Sequence, residues 1–172
     1  MDLSKLNNLI KTVQLEDVTE ESGSGFKDLP DGFYISEVKK IDLKETKTNQ
    51  DPMISIQFEV VDDGLTLNEE GTELVTISKT KGRFIFVNYV LKDEASFKRF
   101  VSDMLKFEDK TGVPLLEKPC FSGNTELMLQ SLELLIGFRI YIQLSTSDYK
   151  DGKNQWKNLI SWNRATNLGL PY

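Results

Sequence analysis

The nine residues Arg83–Leu91 read Arg-Phe-Ile-Phe-Val-Asn-Tyr-Val-Leu and are apolar on both parities of a strand. Ile85, Val87, Tyr89 and Leu91 share one face; Phe84, Phe86 and Val90 share the other, where only Asn88 intervenes. A half-buried strand hides one face and wets the other. A strand apolar on both is either central and covered twice, or has a second face that meets a ligand. The asparagine orients it, because an amide is easily solvated outside a barrel and needs a buried partner inside. Ile85, Val87 and Leu91 are therefore expected inward and Phe84, Phe86 and Asn88 outward. Tyr89 then lies inward and requires an acceptor for its hydroxyl.

The surrounding order narrows the fold. Leu3, Leu6, Leu9, Ile10 and Val13 fall at helical spacing, so residues 1–13 read as an amphipathic helix. Residues 14–31 read as an acidic tether, with Ser-Gly-Ser-Gly at 22–25. The helix must bury its stripe on its own domain or on a partner or sister subunit. A first strand, Phe33–Leu43, changes phase between Val38 and Ile41, as a β-bulge requires. Met53–Val61 alternates with Ile54, Ile56, Phe58 and Val60 inward. Asp62–Thr72 reads as an acidic loop. Leu74–Lys79 and Arg83–Leu91 read as a hairpin turning at Lys81-Gly82.

Apolar spacing predicts helices over Asp93–Lys106, with Asp93 as N-cap, and over Thr125–Ile136 before Gly137. Phe138–Leu144 alternates, and Gln155–Trp162 returns after a turn at Asp151-Gly152. Residues 163–172 read as a tail. Three strand regions, a helical insert and two strands give a mainly β chain with the element order of an OB-fold. That is a five-stranded Greek-key barrel, here spanning residues 32–162, whose ligands lie across its second and third strands. The loops flanking that face carry Lys44 and Lys47 on one side, and Tyr149, Lys150 and Lys153 on the other.

Three pieces carry a family resemblance: Leu29-Pro30-Asp31-Gly32-Phe33-Tyr34, Leu43–Lys47, and Asp51-Pro52 followed by Met53–Val61. With Met1–Leu6 and Phe86–Leu91 they resemble OB-fold single-stranded-DNA-binding proteins from replication and recombination modules of phages of Gram-positive bacteria. The extra length Leu65–Lys79 departs from the pattern. The resemblance implies a non-enzymatic DNA-binding protein of the host cytoplasm, with replication or recombination proteins as partners and an N-terminal helix available for self-association. Such proteins often end in an acidic tail closing on Pro-aromatic. Pro171-Tyr172 matches the ending, but residues 163–172 contain no Asp or Glu.

Charge has to be squared with that expectation. The chain carries 21 basic and 27 acidic residues, a net charge of −6. The acids concentrate in residues 1–31 and 59–75, whereas 79–106 and 136–172 are net positive, and distribution matters more than the total. Expected phosphate contacts are Lys44, Lys47, Lys81, Arg83, Arg139, Lys150 and Lys153. Expected stacking platforms are Phe86 above all, then Tyr141 and Trp156, with Phe84 and Tyr149 beside them. An ordinary mixed surface is the plain alternative, and an OB-type protein-interaction module the functional one.

Other chemistry is poorly provided for. The chain has no histidine, which removes His-based triads and acid/base catalysis. One cysteine, Cys120, precludes an internal disulfide. Asp31, Glu37 and Lys39 superficially resemble a metal-dependent nuclease set, but they sit along one strand start and not on adjacent strands. There is no phosphate-cradling glycine loop. No cofactor, metal or catalytic role is expected. No apolar run reaches the roughly 20 residues of a membrane span.

Overall fold

The computed structural model describes Ser4, residues 29–150 and residues 152–171. Apart from Ser4, the expected N-terminal helix and residues 14–28 of the expected tether lie outside the described residues. The remainder forms an antiparallel sheet of seven strands and three helices, a mainly β architecture. The strands are β1 (Gly32–Glu45), β2 (Pro52–Val60), β3 (Gly64–Leu67), β4 (Leu74–Ile77), β5 (Phe84–Val90), β6 (Arg139–Tyr149) and β7 (Gly152–Ile160). The helices are α1 (Glu94–Met104), α2 (Thr125–Glu133) and α3 (Trp162–Asn167).

β1 is the strand on which the others hang. One edge pairs with β2 from Ser36↔Val60 to Glu45↔Pro52, and with β3 at Phe33↔Leu65. The other edge pairs with β6 from Gly32↔Leu144 to Glu37↔Arg139. The register slips between Val38 and Lys40, so the bulge read from the phase change is present. It lets Tyr34, Ser36 and Val38 face the core before it and turns Ile41 to the same side after it.

The expected hairpin between residues 74–79 and 83–91 is corrected. β4 pairs with β3, from Gly64↔Ile77 to Leu67↔Leu74, and β5 pairs with β2, from Met53↔Val90 to Glu59↔Phe84. Thus seven strands replace five, and the stretch read as an acidic loop contains β3. Its acidic residues Glu69 and Glu70 sit at the tip between β3 and β4. Gly64 is required there, since a Cβ would lie 2.3 Å from the Tyr34 ring. Nor is β5 central: it pairs with β2 alone. The segment covered on both faces is the start of β1 with β6.

Inward residues of β1, β2, β5, β6 and β7 meet Phe100 and Met104 of α1 and Met128 and Leu132 of α2. Asp93 caps α1 through a reciprocal capping box with Ser96. α2 is capped by Asn124 and ends at Glu133, three residues before the expected Ile136. On the opposite face of β1 and β6 a second cluster joins Tyr141, Ile160, Ala165 and Leu170, with Phe33, Ile35 and Trp162 against it. Residues 163–171 are therefore not a tail: α3 is capped by Ser161, and the Tyr141 hydroxyl donates to the Pro171 carbonyl.

Among the described residues no backbone ladder joins β5 to β7, so the sheet does not close. Side chains cross the seam. Tyr89 on β5 donates to Asp103 of α1 at 2.9 Å, the acceptor its inward position demanded. Lys106 holds Asp103 at 2.9 Å and donates to the Leu159 carbonyl of β7 at 3.2 Å. Nearer the surface, Lys157 on β7 donates to the Phe86 carbonyl at 2.6 Å.

Two phenols are kept neutral by this packing. Burial, then the Asp31 charge, pushes Tyr34 up to about 12, against an ordinary value of 10.0. Burial, then the charge of Asp103, raises Tyr89 well above the same value. Above pH 10 the unfolded chain loses phenolic protons that the fold retains, so their stabilisation is complete below the unfolded value and declines as pH rises toward the folded ones. Urea midpoints are expected to fall between pH 10 and 12, less steeply in Tyr89→Phe. At pH 7 Tyr89→Phe should cost about 1 kcal/mol with m unchanged, because Asp103 keeps Lys106.

Candidate nucleic-acid interface

Strand parity builds the candidate surface. With Ile85, Val87 and Tyr89 buried, Phe84 and Phe86 point outward at 52% and 46% exposure, two residues apart, and Asn88 follows them. This is the orientation expected from the amide. Across the β2 register stand Glu59 beside Phe84, Gln57 beside Phe86 and Ser55 beside Asn88. One strand further, Lys40 and Asp42 continue the last two rows.

The cations of this face are already matched. Lys39 lies 2.5 Å from Glu37 and 3.4 Å from Glu59, Lys40 lies 3.4 Å from Asp42, and Arg139 lies 3.4 Å from Glu37. The hydrogen bond from Lys39, opposed by slight burial and joined by Arg139, holds the Glu37 carboxyl below its ordinary value. Glu37 and Lys39 thus serve each other, and Asp31 is occupied elsewhere. Asp31 accepts from the Thr146 amide at 2.8 Å, the Thr146 hydroxyl at 2.7 Å and Gln155 at 3.0 Å. Burial opposes ionisation of Asp31, but these bonds outweigh it and lower its pKa. Far from ending a tether, it bolts the start of β1 to the β6–β7 hairpin. Among the described residues, no three Asp, Glu or Cys side chains gather as a metal site.

The β6–β7 hairpin supplies a second aromatic pair. Tyr149 and Trp156 are exposed and meet edge to face, with centroids 5.7 Å apart at 90°. The indole donates to Ser147 at 2.5 Å, which fixes its plane, and the Lys150 ammonium sits 5.2 Å from the Tyr149 centroid. Strand pairing runs to Tyr149↔Gly152, so the turn is tighter than the sequence suggested, with Lys150 at φ 52. Lys153 stands across from Asp148 in the register.

The remaining candidates are scattered. Lys44 lies at the end of β1 away from Gly32, and Lys47 in the turn beyond it. Lys81 is exposed in the turn before β5, where its amide and that of Thr80 donate to Asp63 at 2.9 and 3.0 Å. Those amides hold Asp63 below its ordinary value. Arg83 is half-buried, close enough to Tyr34 to oppose the rise of its pKa. Tyr141 is corrected outright: it is 2% exposed, 6.2 Å from Trp162 and beneath α3, and offers no face to a base. Arg139 and Tyr141 line a separate recess of about 440 Å³ with Trp162 and Pro171. A cleft of about 730 Å³ between Glu108–Gly112 and α3 contains none of the candidates.

Lys157 is the residue the sequence reading passed over. Its parity matches buried Leu159, which invites a core assignment, yet a lysine there must carry its ammonium along the strand to an acceptor. That mismatch between parity and chemistry was the available signal.

Compared with known proteins, the chain matches no protein-family model and no curated protein.

Exposure separates the two classes of phenylalanine. Phe86→Ala is expected to leave the melting temperature nearly unchanged, within about 0.5–1 kcal/mol of the parent. Phe58→Ala, fully buried on β2, should cost about 3–5 kcal/mol. Thermal melts of the two variants would reveal a wrongly oriented β5 if their losses were alike.

Proposed function

We propose that this protein is a non-enzymatic single-stranded-DNA-binding module of the OB type, acting in phage DNA replication or recombination within the host cytoplasm. In this reading β1, β2, β5, β6 and β7 are the five barrel strands, and the β3–β4 hairpin is an insertion after the second. The division of β1 between β6 and β2, the bulge at the changeover, and the helices between β5 and β6 all support it.

The single observation that carries the function is the outward pair Phe84 and Phe86 on β5. Each ring is about half exposed, and the strand lies across the seam from the strand that bears Trp156. Exposed rings on an ordinary surface are a solubility burden, whereas rings on successive outward positions give successive bases something to stack on. Stacking is worth roughly 1–3 kcal/mol per base and tolerates any sequence. Lys81 and Arg83 precede those rings in the chain, Lys150 and Lys153 lie at the β6–β7 turn beside Tyr149, and these four would follow the phosphates. Lys44 and Lys47 would meet only a longer strand running the length of β1. Tyr141 has no part in it. Among the described residues no helix is long and apolar enough to cross a membrane. Replication or recombination proteins are the expected partners, and residues 1–13 the expected means of self-association.

Titration with a thymidine oligomer at low salt tests this directly. Saturable binding is expected, with log affinity falling linearly against log salt at about 0.7 per neutralised phosphate. Lys150→Ala with Lys153→Ala should flatten that slope. Phe86→Ala should weaken affinity by about one to two decades while leaving the slope in place. No saturable binding to the oligomer would instead favour the protein-interaction module, with the same aromatic face docking a protein.

A further inference from the structure

We infer that the open edge of β4 pairs with the same edge of a second copy of this chain, antiparallel and centred on Thr76. The β3–β4 hairpins of two molecules then form one sheet. Neither the outward phenylalanines of β5 nor the aromatic hairpin takes part, so this pairing does not depend on the DNA reading.

The edge comes from the topology. Among the described residues β4 pairs with β3 alone, and its other side presents main-chain donors and acceptors to solvent. Which residues do so follows from the ladder. The Asn68 amide donates to the Glu73 carbonyl at 2.9 Å, one step beyond the Leu67↔Leu74 pair. Hydrogen-bonded and non-bonded pairs alternate along an antiparallel ladder. Val75 therefore turns its main-chain groups toward β3, whereas Leu74 and Thr76 turn theirs to the open side. Edge strands are commonly guarded by a proline, a lysine or a bulge. Leu74-Val75-Thr76-Ile77 contains no proline or lysine, and its register with β3 is unbroken. Val, Thr and Ile are the β-branched residues that strands favour.

Self-pairing has few registers, and charge selects among them. Two such edges bond only where outward residues face each other. Centring on Thr76 sets Thr76 opposite its own copy, Val75 opposite Ile77 and Glu73 opposite Lys79. Centring on Val75 or on Leu74 would instead set Glu73 opposite an apolar residue, Ile77 or Val75. In the Thr76 register an acid meets a base twice, because a two-fold contact repeats each pair. Glu73 and Lys79 are both exposed and, among the described residues, enter no ion pair. Val75, 42% exposed, gains an apolar cross-strand neighbour. The antiparallel arrangement also sends the two acidic tips, with Glu69 and Glu70, to opposite ends of the joint sheet. Four residues of edge make a small contact beside a standard interface of roughly 1,200–2,000 Å², so the dimer is weak and forms at high concentration.

Sedimentation equilibrium of the full chain at rising concentration tests the pairing, with melts alongside to confirm folding. A monomer–dimer equilibrium is expected, weakened by salt. Glu73→Lys or Lys79→Glu alone should weaken association roughly tenfold, since each change acts at two contacts. The double exchange, Glu73→Lys with Lys79→Glu, should restore it. Thr76→Pro, which removes an outward amide that β3 does not use, should abolish it. A parent that stays monomeric up to roughly 1 mM overturns the inference. So does a double exchange that fails to recover association. Single exchanges that leave the dimer constant unmoved overturn it as well, and assign self-association to another surface, residues 1–13 first among them.

Discussion

A strand has two hydrogen-bonding edges, and in this protein β1 uses one and then the other along its fourteen residues, with a short overlap. β6 takes one edge up to Glu37 and β2 takes the other from Ser36 onward. A flat strand could not serve two partners diverging in this way. The bulge after Val38 supplies the bend and resets which side chains face inward, so the core is continuous from Tyr34 to Ile41. Asp31 then fixes the start of the strand to Thr146 and Gln155. Every candidate surface is placed by this strand: the outward phenylalanines through β2, the aromatic hairpin through β6.

Much of that arrangement is legible in the sequence where alternation is strong and local. The slip in phase between Val38 and Ile41 announces the bulge, the Ile54–Val60 alternation announces β2, and a lone asparagine orients β5. Asp93 marks the start of α1. What the sequence hides depends on partners distant along the chain. Gly64–Leu67 is too short and too flanked by acids to read as a strand, and it becomes one only because Phe33 and Leu74–Ile77 lie beside it. Tyr141 alternates like a surface residue and is buried because α3 folds back over it. That return was invisible because Ala165 and Leu170 are few and widely spaced.

The seam between β5 and β7 shows how two strands of an unclosed sheet can be tied without a backbone ladder. Below the surface Tyr89, Asp103 and Lys106 carry the connection through α1 to Leu159. At the surface one ammonium meets one carbonyl. A polar relay with every member hydrogen-bonded is rigid, so the half-buried inner joint fixes the strands, while the outer contact lies at the surface.

Charge distinguishes the two hairpins at the start of β1. β3 runs antiparallel to β1 from Phe33↔Leu65, and β6 runs antiparallel to it from Gly32↔Leu144. The β3–β4 and β6–β7 hairpins therefore both project past the start of β1, one from each edge. The first ends in Glu69, Glu70 and Glu73, and the second carries Lys150 and Lys153, balanced by Asp148 and Asp151, beside Tyr149 and Trp156. A net charge of −6 is thus compatible with a polyanion, because the acidic hairpin and the aromatic one are separate structures. A negative field on one projection beside a near-neutral one would steer a polyanion more than bind it. On the proposed reading, a single strand approaching this end would be turned from the acidic hairpin toward the aromatic one. The acidic insertion and the aromatic hairpin are on this view one device, in which the first narrows the approach to the second.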